Sequence, residues 1–156
     1  MYKEMRRKKN QRSEQEAYEY LNRAEWGVLS LCADGLPYGV PMSHATVGKI
    51  IYLHAALEGQ KLDFIRANPK ACFTAVASAE VLRTMGSMSY ECVMAFGTMR
   101  MVEGDEERLA AFDAINARFT DGFELGRTFV DKWAQRTAVL ALEIERITAK
   151  STGKEE

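Results

Sequence analysis

Hydrophobic residues recur with two periods along this chain, and one stretch, Ile50 to Pro69, contains both. From Ile50 to Ala55 the period is two, with Ile50, Tyr52 and His54 on one side and Ile51, Leu53 and Ala55 on the other, the pattern of a strand inside a sheet or barrel. Its β-branched and aromatic content agrees. Ala56 to Gly59 predicts a turn, after which Leu62 and Ile65 at three-residue spacing begin an amphipathic helix that Pro69 stops.

The remaining elements follow from the same two periods. Ser13 to Glu16 is a capping box that opens a helix with Ala17 and Leu21 on one face, running to about Arg23. Val28 to Cys32 predicts a short strand, Asp34-Gly35 a turn and Pro37 the end of the loop. Tyr38 to Val47 predicts a second strand, with Met42, His44 and Thr46 on one side and Pro41, Ser43 and Ala45 on the other. Pro41 cannot donate to a ladder, so this strand belongs at an edge or is bulged there. Gly48-Lys49 makes a hairpin into the Ile50 strand. Lys70 to Ser78 is a strand, Ala79 to Tyr90 has no period and reads as a long loop or lid, and Glu91 to Glu103 is the longest strand.

Asp105 to Phe119 predicts a helix with Leu109, Phe112, Ile115 and Phe119 along its apolar stripe. A second helical piece runs from about Leu125 to Arg136, bearing Phe129 and Trp133. The last strand, Ala138 to Ile147, sets Leu140, Leu142 and Ile144 against Glu143 and Glu145, so one face is wet. About six strands joined mostly by hairpins, with three or four helices, predict a mainly-β α+β fold: an antiparallel six-stranded barrel with peripheral helices.

At 156 residues the chain suits one domain. That domain is expected over 13–150, between a basic arm at 1–12 and a flexible tail at 151–156. The Arg6 to Lys9 cluster reads as a solvated or partner-contacting arm. A net charge of −1 gives the protein no electrostatic reason to seek nucleic acid. Cys32, Cys72 and Cys92 stand far apart, without a CxxC pair, and suit reduced, buried thiols in a cytoplasmic protein. No apolar run approaches the roughly 20 residues of a membrane span, and no signal-peptide core is present.

The Ile50 to Pro69 stretch also carries the candidate chemistry. Lys61 falls in the first turn of its helix, where unpaired N–H groups and the positive end of the dipole gather. A phosphate or carboxylate could be held there by amides and ammonium together; a solvated surface lysine is the other reading. His54 at the strand end is either a hydrogen-bonded rim residue or a ligand-facing one, since mixed α/β structures place ligands where a strand end meets a helix start. Other chemistries fail on spacing. Ser43 and His44 are adjacent on a strand and point to opposite faces, so they cannot form a nucleophile–base pair. There is no GxSxG elbow, phosphate-binding P-loop, GxGxxG fingerprint or metal-ligand spacing.

The stretch from Gly35 to Ala75 resembles the flavin-binding core of the pyridoxamine 5′-phosphate oxidase-like split barrels, in particular their nitroimidazole-resistance branch. The resemblance rests on Gly35, Pro37, Tyr38 and Pro41, on Tyr52 and His54, on Gly59 and Lys61, and on Asn68 and Pro69. Tyr90-Glu-Cys-Val-Met-Ala-Phe-Gly97 and Arg136-Thr-Ala-Val139 resemble two later blocks of that branch, although Cys92 stands where a serine is usual.

The resemblance implies a six-stranded split barrel that forms a homodimer and binds FMN in clefts between subunits. Lys61, with Gly59, matches the position that holds the FMN phosphate. Pro41, Met42, Ser43, His44 and Ala45 match the strand lining the isoalloxazine, with Ser43 a hydrogen-bond donor to the ring. His54 matches a histidine near flavin and substrate and is the candidate catalytic residue; Tyr52, Tyr90, Trp133 and Arg136 match positions that reach the site. The implied function is an oxidoreductase passing electrons from a reductant such as NAD(P)H to a small acceptor, for example a nitroaromatic compound. The alternative is a non-catalytic module, either a flavin carrier or redox regulator, or a haem binder using His44 or His54.

Overall fold

The computed structural model describes residues 3–120 and 136–152. Among these, eight strands and three α-helices are formed: β1 (Gln11–Arg12), α1 (Glu14–Arg23), β2 (Trp26–Ala33), β3 (Leu36–Ser43), β4 (Ala45–Val47), β5 (Ile50–Ala56), α2 (Gln60–Ala67), β6 (Lys70–Leu82), β7 (Ser87–Met101), α3 (Asp105–Phe119) and β8 (Thr137–Thr152). All pairings are antiparallel. The sheet runs β3-β2-β6-β7-β8-β5-β4, with β1 added to β8. Its two ends, β3 and β4, are consecutive in the chain and separated only by His44. The sheet therefore curls until its ends meet through a covalent seam, which is the split of a split barrel.

The fold class agrees with the sequence reading, and the strand count rises from six to eight for local reasons. The Tyr38 to Val47 run breaks at His44 into β3 and β4, and Gln11–Arg12 adds a short strand to β8. Pro41 lies in β3 at the end of the sheet, where a missing N–H costs no ladder bond.

Two clusters hold the layers. Inside the barrel, Leu29, Leu53, Phe73, Val93 and Leu140 pack with Ala17, Tyr20 and Leu21 of α1. Outside it, Phe112 and Ile115 of α3 cover Ala45, Tyr52, Val139 and Ala141. Gly27 makes room for the first cluster, because a Cβ there would come within 2.5 Å of the Phe73 ring and 2.7 Å of the Thr74 carbonyl oxygen.

Several expectations change. Ala79 to Tyr90 is no lid: β6 and β7 continue pairing through Ala79–Tyr90 to Leu82–Ser87, and the chain reverses at Arg83–Met85 with Gly86 at φ 58°. Most of this hairpin is exposed on both faces, so burial imposed no alternation on its sequence. The last strand is not wet on one face at its start, since Thr137 to Leu142 are buried between the barrel interior and α3. β8 also runs on to Thr152, and Ser151 is buried where Arg12 donates to its hydroxyl at 2.6 Å. Leu109 and Phe119 stay exposed, because α3 buries a stripe through Ala111, Phe112 and Ile115. The three cysteines are free but not buried: Cys32 is exposed, Cys72 and Cys92 half-buried. The helical piece expected from Leu125, with Phe129 and Trp133, lies outside the described residues up to Arg136.

Candidate functional site

The start of α2 is built on Gly59. This residue caps the helix at φ 130°, a conformation side chains rarely adopt, and it provides no side-chain cap. Its carbonyl accepts from the N–H groups of Leu62 and Asp63 at 2.9 and 3.3 Å. The N-cap thus leaves the positive end of the helix without a side-chain cap of its own, and half-buried Lys61 stands in that turn. Asp63, the acid of the same turn, is drawn instead to Arg66 at 3.0 Å.

β5 delivers His54 to the same end of the barrel. The ring is on the outer face, and its pKa is held below the ordinary histidine value by desolvation and then by the nearby Lys61 ammonium. Two steps along, Ala56 pairs with Thr137, so exposed Arg136 enters β8 beside the end of β5. Arg108 of α3 reaches this corner too, donating to the Thr137 carbonyl oxygen at 2.9 Å. Lys61, Arg108 and Arg136 thus place three cations around one barrel end. Arg108 escaped the sequence reading; its only signal is a basic residue just after the acidic first turn of α3.

The expected ring-lining segment divides by face. Pro41 is exposed and Ser43 half-buried, whereas Met42, His44 and Ala45 are buried. Those three can contact a ligand outside the barrel only through their backbone. Ala45 pairs with Tyr52, so continuing that register across the break sets Ser43 level with His54, and β3 does touch β5.

His44 is fully enclosed. Its Nε2–H donates to the Leu21 carbonyl oxygen at 2.9 Å, and its ring lies 4.9 Å from that of Phe73. Burial above all pushes its pKa down to about 4; Leu21 opposes the shift and Arg118 adds to it. A neutral ring packed this way is not placed to ligate a haem iron.

Tyr52, two residues before His54 on the same face of β5, is buried under α3, and Tyr90 lies away from this corner. The buried Tyr52 donates its phenol to Glu107 at 2.9 Å, and Glu107 is in turn held by Arg100. Tyr90 pairs with Thr152, at the opposite end of β8 from Arg136. A strand of 16 residues spans roughly 50 Å when extended, so Tyr90 and His54 of one chain do not share a site. Trp133 lies outside the described residues.

The family model for pyridoxamine 5′-phosphate oxidase matches residues 13–151. The chain belongs to this family. No curated protein matches it. Among solved structures, a candidate 5-nitroimidazole antibiotic resistance protein from Bacteroides thetaiotaomicron superposes with a TM-score of 0.76 at 24% identity, covering 89% of this chain and 84% of that one. The FAD and heme binding protein from Mycobacterium smegmatis gives 0.75 at 24% identity, covering 92% and 74%. An FAD-binding protein from Mesorhizobium loti gives 0.69 at 18%, covering 92% and 97%. At these identities the likeness is one of fold.

Within this pyridoxamine 5′-phosphate oxidase family member, the corner formed by β3, β5, α2 and β8 offers anion-binding groups beside an edge strand and an uncharged imidazole. The outer face next to it, on β2, β6 and β7, leaves Trp26, Val76 and Met94 exposed at 58%, 54% and 40%. Among the described residues, none of the helices has an apolar face packed over these side chains. Among the described residues, no helix is long and apolar enough to cross a membrane.

Proposed function

We propose that this chain is a flavin-binding oxidoreductase that holds FMN at the corner of β3, β5 and α2, in a site completed by a second copy of the chain. The observation that carries the reading is Lys61 at the uncapped start of α2, beside His54 and the Arg136 end of β8. The donor set fits a phosphate, combining helix amides, an ammonium and guanidinium groups at one barrel end. The free side of edge strand β3 fits a planar heterocycle, since it presents backbone donors and acceptors without a ladder partner. The FAD-binding proteins that share the fold support a flavin as the cofactor.

FMN, when bound, supplies two-electron redox chemistry between a reductant such as NAD(P)H and a small acceptor, for which a nitroaromatic compound is the model. Lys61 and the Gly59 turn hold the phosphate, and Ser43 donates to the polar edge of the ring. His54 is mostly neutral at pH 7, because its pKa is lowered; its role is to orient the acceptor by a hydrogen bond rather than to attract it by charge.

Two features support homodimerisation. The exposed Trp26, Val76 and Met94 face matches an interface more than a solvated surface. The separation of Tyr90 from His54 means that a site using both needs two chains.

The test is an absorption spectrum of the purified protein with the mass of whatever heat releases from it. A two-band flavin spectrum with the mass of FMN supports the proposal, and reoxidation by a nitroaromatic faster than that of free FMN supports catalysis. Flavin that turns over no faster than free FMN leaves a carrier. A Soret band, or a colourless protein that takes up no FMN, overturns the assignment.

A further inference from the structure

The strand register sorts the hairpin at 78–91 by face, although no burial within one chain requires it. Val93 and Ala95 belong to the barrel interior, so Met88, Tyr90, Cys92 and Met94 of the same strand point outward. Cross-strand partners share a face, and Val81 pairs with Met88, Ala79 with Tyr90 and Val76 with Cys92. The apolar surface of Trp26, Val76 and Met94 therefore continues onto the hairpin, where Val81 and Met88 are 55% and 47% exposed. The reverse side of the hairpin is polar up to Leu82 and is bound to its own chain. Ser78 donates to the Glu91 carboxylate at 2.9 Å, Arg23 of α1 holds the same carboxylate, and Ser89 donates to the Thr152 carbonyl oxygen at 3.1 Å. One side of this arm is fixed to its own barrel and the other is bare.

Symmetry and charge select what covers the bare side. A two-fold contact sets the same patch of both copies face to face. Met94, at the centre of the patch, is also the middle residue of β7 (Ser87–Met101). An axis crossing the strands there turns the sheet end for end, so the turn at Arg83–Met85 is laid toward the segment that follows Met101 in the other copy. That segment is acidic. The Val102 N–H donates to the Val139 carbonyl oxygen at 2.9 Å, so exposed Glu103, Asp105 and Glu106 stand at the Thr137 end of β8, beside the flavin corner. Arg83 is exposed too, and neither it nor any of these three acids forms an ion pair with a described residue. An axis along the strands would instead set Arg83 against Arg83.

We infer that the 78–91 hairpin is an arm that embraces a second copy of this chain, with its Val81–Met88 side on the outer sheet of that copy and its Arg83–Met85 turn against the 103–106 run beside that copy's flavin corner. The inference rests on the homodimer reading and adds to it the element that each copy contributes next to the other's site. The charged part of the contact is screened by salt, whereas the apolar part is not.

The probe is p-benzoylphenylalanine at Met85, a turn position 56% exposed, in the full chain as purified. Isotopically light and heavy protein are mixed, left to exchange and irradiated; the expected product is a light–heavy cross-linked peptide containing residues 102–108. In light scattering at micromolar concentration, Val81→Asp and Met88→Asp should each move the mass toward monomer, whereas Ser87→Asp, on the reverse side, should leave the dimer intact. All three positions are exposed and so tolerate a polar residue. Arg83→Glu should raise the dimer Kd about three- to tenfold at low salt and less at high salt, the size expected for two exposed charge contacts. Cross-links confined to one chain, or a dimer that Trp26→Lys breaks but Val81→Asp and Met88→Asp do not, would overturn the arm and leave the homodimer standing. A wild-type monomer would overturn both. A colourless protein that still gives the light–heavy cross-link would support the arm and overturn the flavin assignment alone.

Discussion

The His44 side chain donates to the Leu21 carbonyl oxygen at 2.9 Å and thereby ties the seam of the barrel to the last turn of α1. The same helix end is held from the other side, where Arg118 donates to the carbonyls of Asn22 and Ala24. Two tertiary contacts thus satisfy carbonyls that a helix terminus leaves without intrahelical partners.

Burial of this ring makes acid stability depend on His44. The folded pKa lies at about 4, below the ordinary 6.5, so the unfolded chain binds the extra proton first as pH falls. Nothing is lost above pH 6.5, and stability drains away between about 6.5 and about 4, on the order of 3 kcal/mol in all. Urea unfolding across that window should show the slope, and His44→Gln should flatten it.

At the flavin corner, Lys61→Gln should weaken FMN binding about tenfold, the effect of losing one charge-assisted contact. His54→Ala should keep FMN bound and slow its reoxidation. Fluorescence titration with FMN and stopped-flow reoxidation check the two variants; unchanged turnover with every acceptor would remove His54 from the mechanism.

Gly97 admits no side chain. A Cβ at this position would fall on the Glu143 carbonyl oxygen, where the β7–β8 register shifts between Phe96 and Gly97. Gly97→Ala should therefore cost about 3 kcal/mol or more, read from its urea midpoint, whereas Gly39→Ala should be mild because the nearest atom to its Cβ is 3.6 Å away.

Arg100 joins two carboxylates, meeting Glu107 at 2.6 Å and Glu143 at 2.7 Å. Glu107 is held below the usual carboxylate range by Arg100 first and then by the Tyr52 phenol. Its contribution is present above the ordinary carboxylate pKa and is lost as pH falls through the lowered one. Arg100→Met should accordingly destabilise at pH 7 more than at pH 3. Tyr52→Phe should cost only about 1 kcal/mol, because Glu107 keeps Arg100.

If the Trp26 face is the interface, Trp26→Lys should move the mass in solution from dimer toward monomer and lower FMN retention. Light scattering at micromolar concentration decides it, and a wild-type monomer would remove the shared site.

The sequence by itself determined the elements whose signals are local. The Ser13–Glu16 capping box is present in full at the start of α1, and α3 runs from Asp105 to Phe119 as its acidic first turn announces. Pro41 marked an edge strand and Gly59 a helix start, each through its own backbone chemistry. The period-two run at Ile50 gave β5 its faces, and the ordered motifs pointed to the family that matches residues 13–151.

Tertiary structure decided what depends on a distant partner. Residues 79–90 pair as a hairpin whose ladder is made by backbone, with little burial to write a period into the side chains. Tyr52 is claimed by Glu107 across a separation of 55 residues, which no spacing within the Tyr52–His54 motif reveals. His44 looked like one more alternating strand residue, yet it became the break between β3 and β4. Only closure of the barrel brings the two ends of the sheet together at that point, and only the packing of α1 beside it provides the Leu21 carbonyl that makes a buried histidine tolerable.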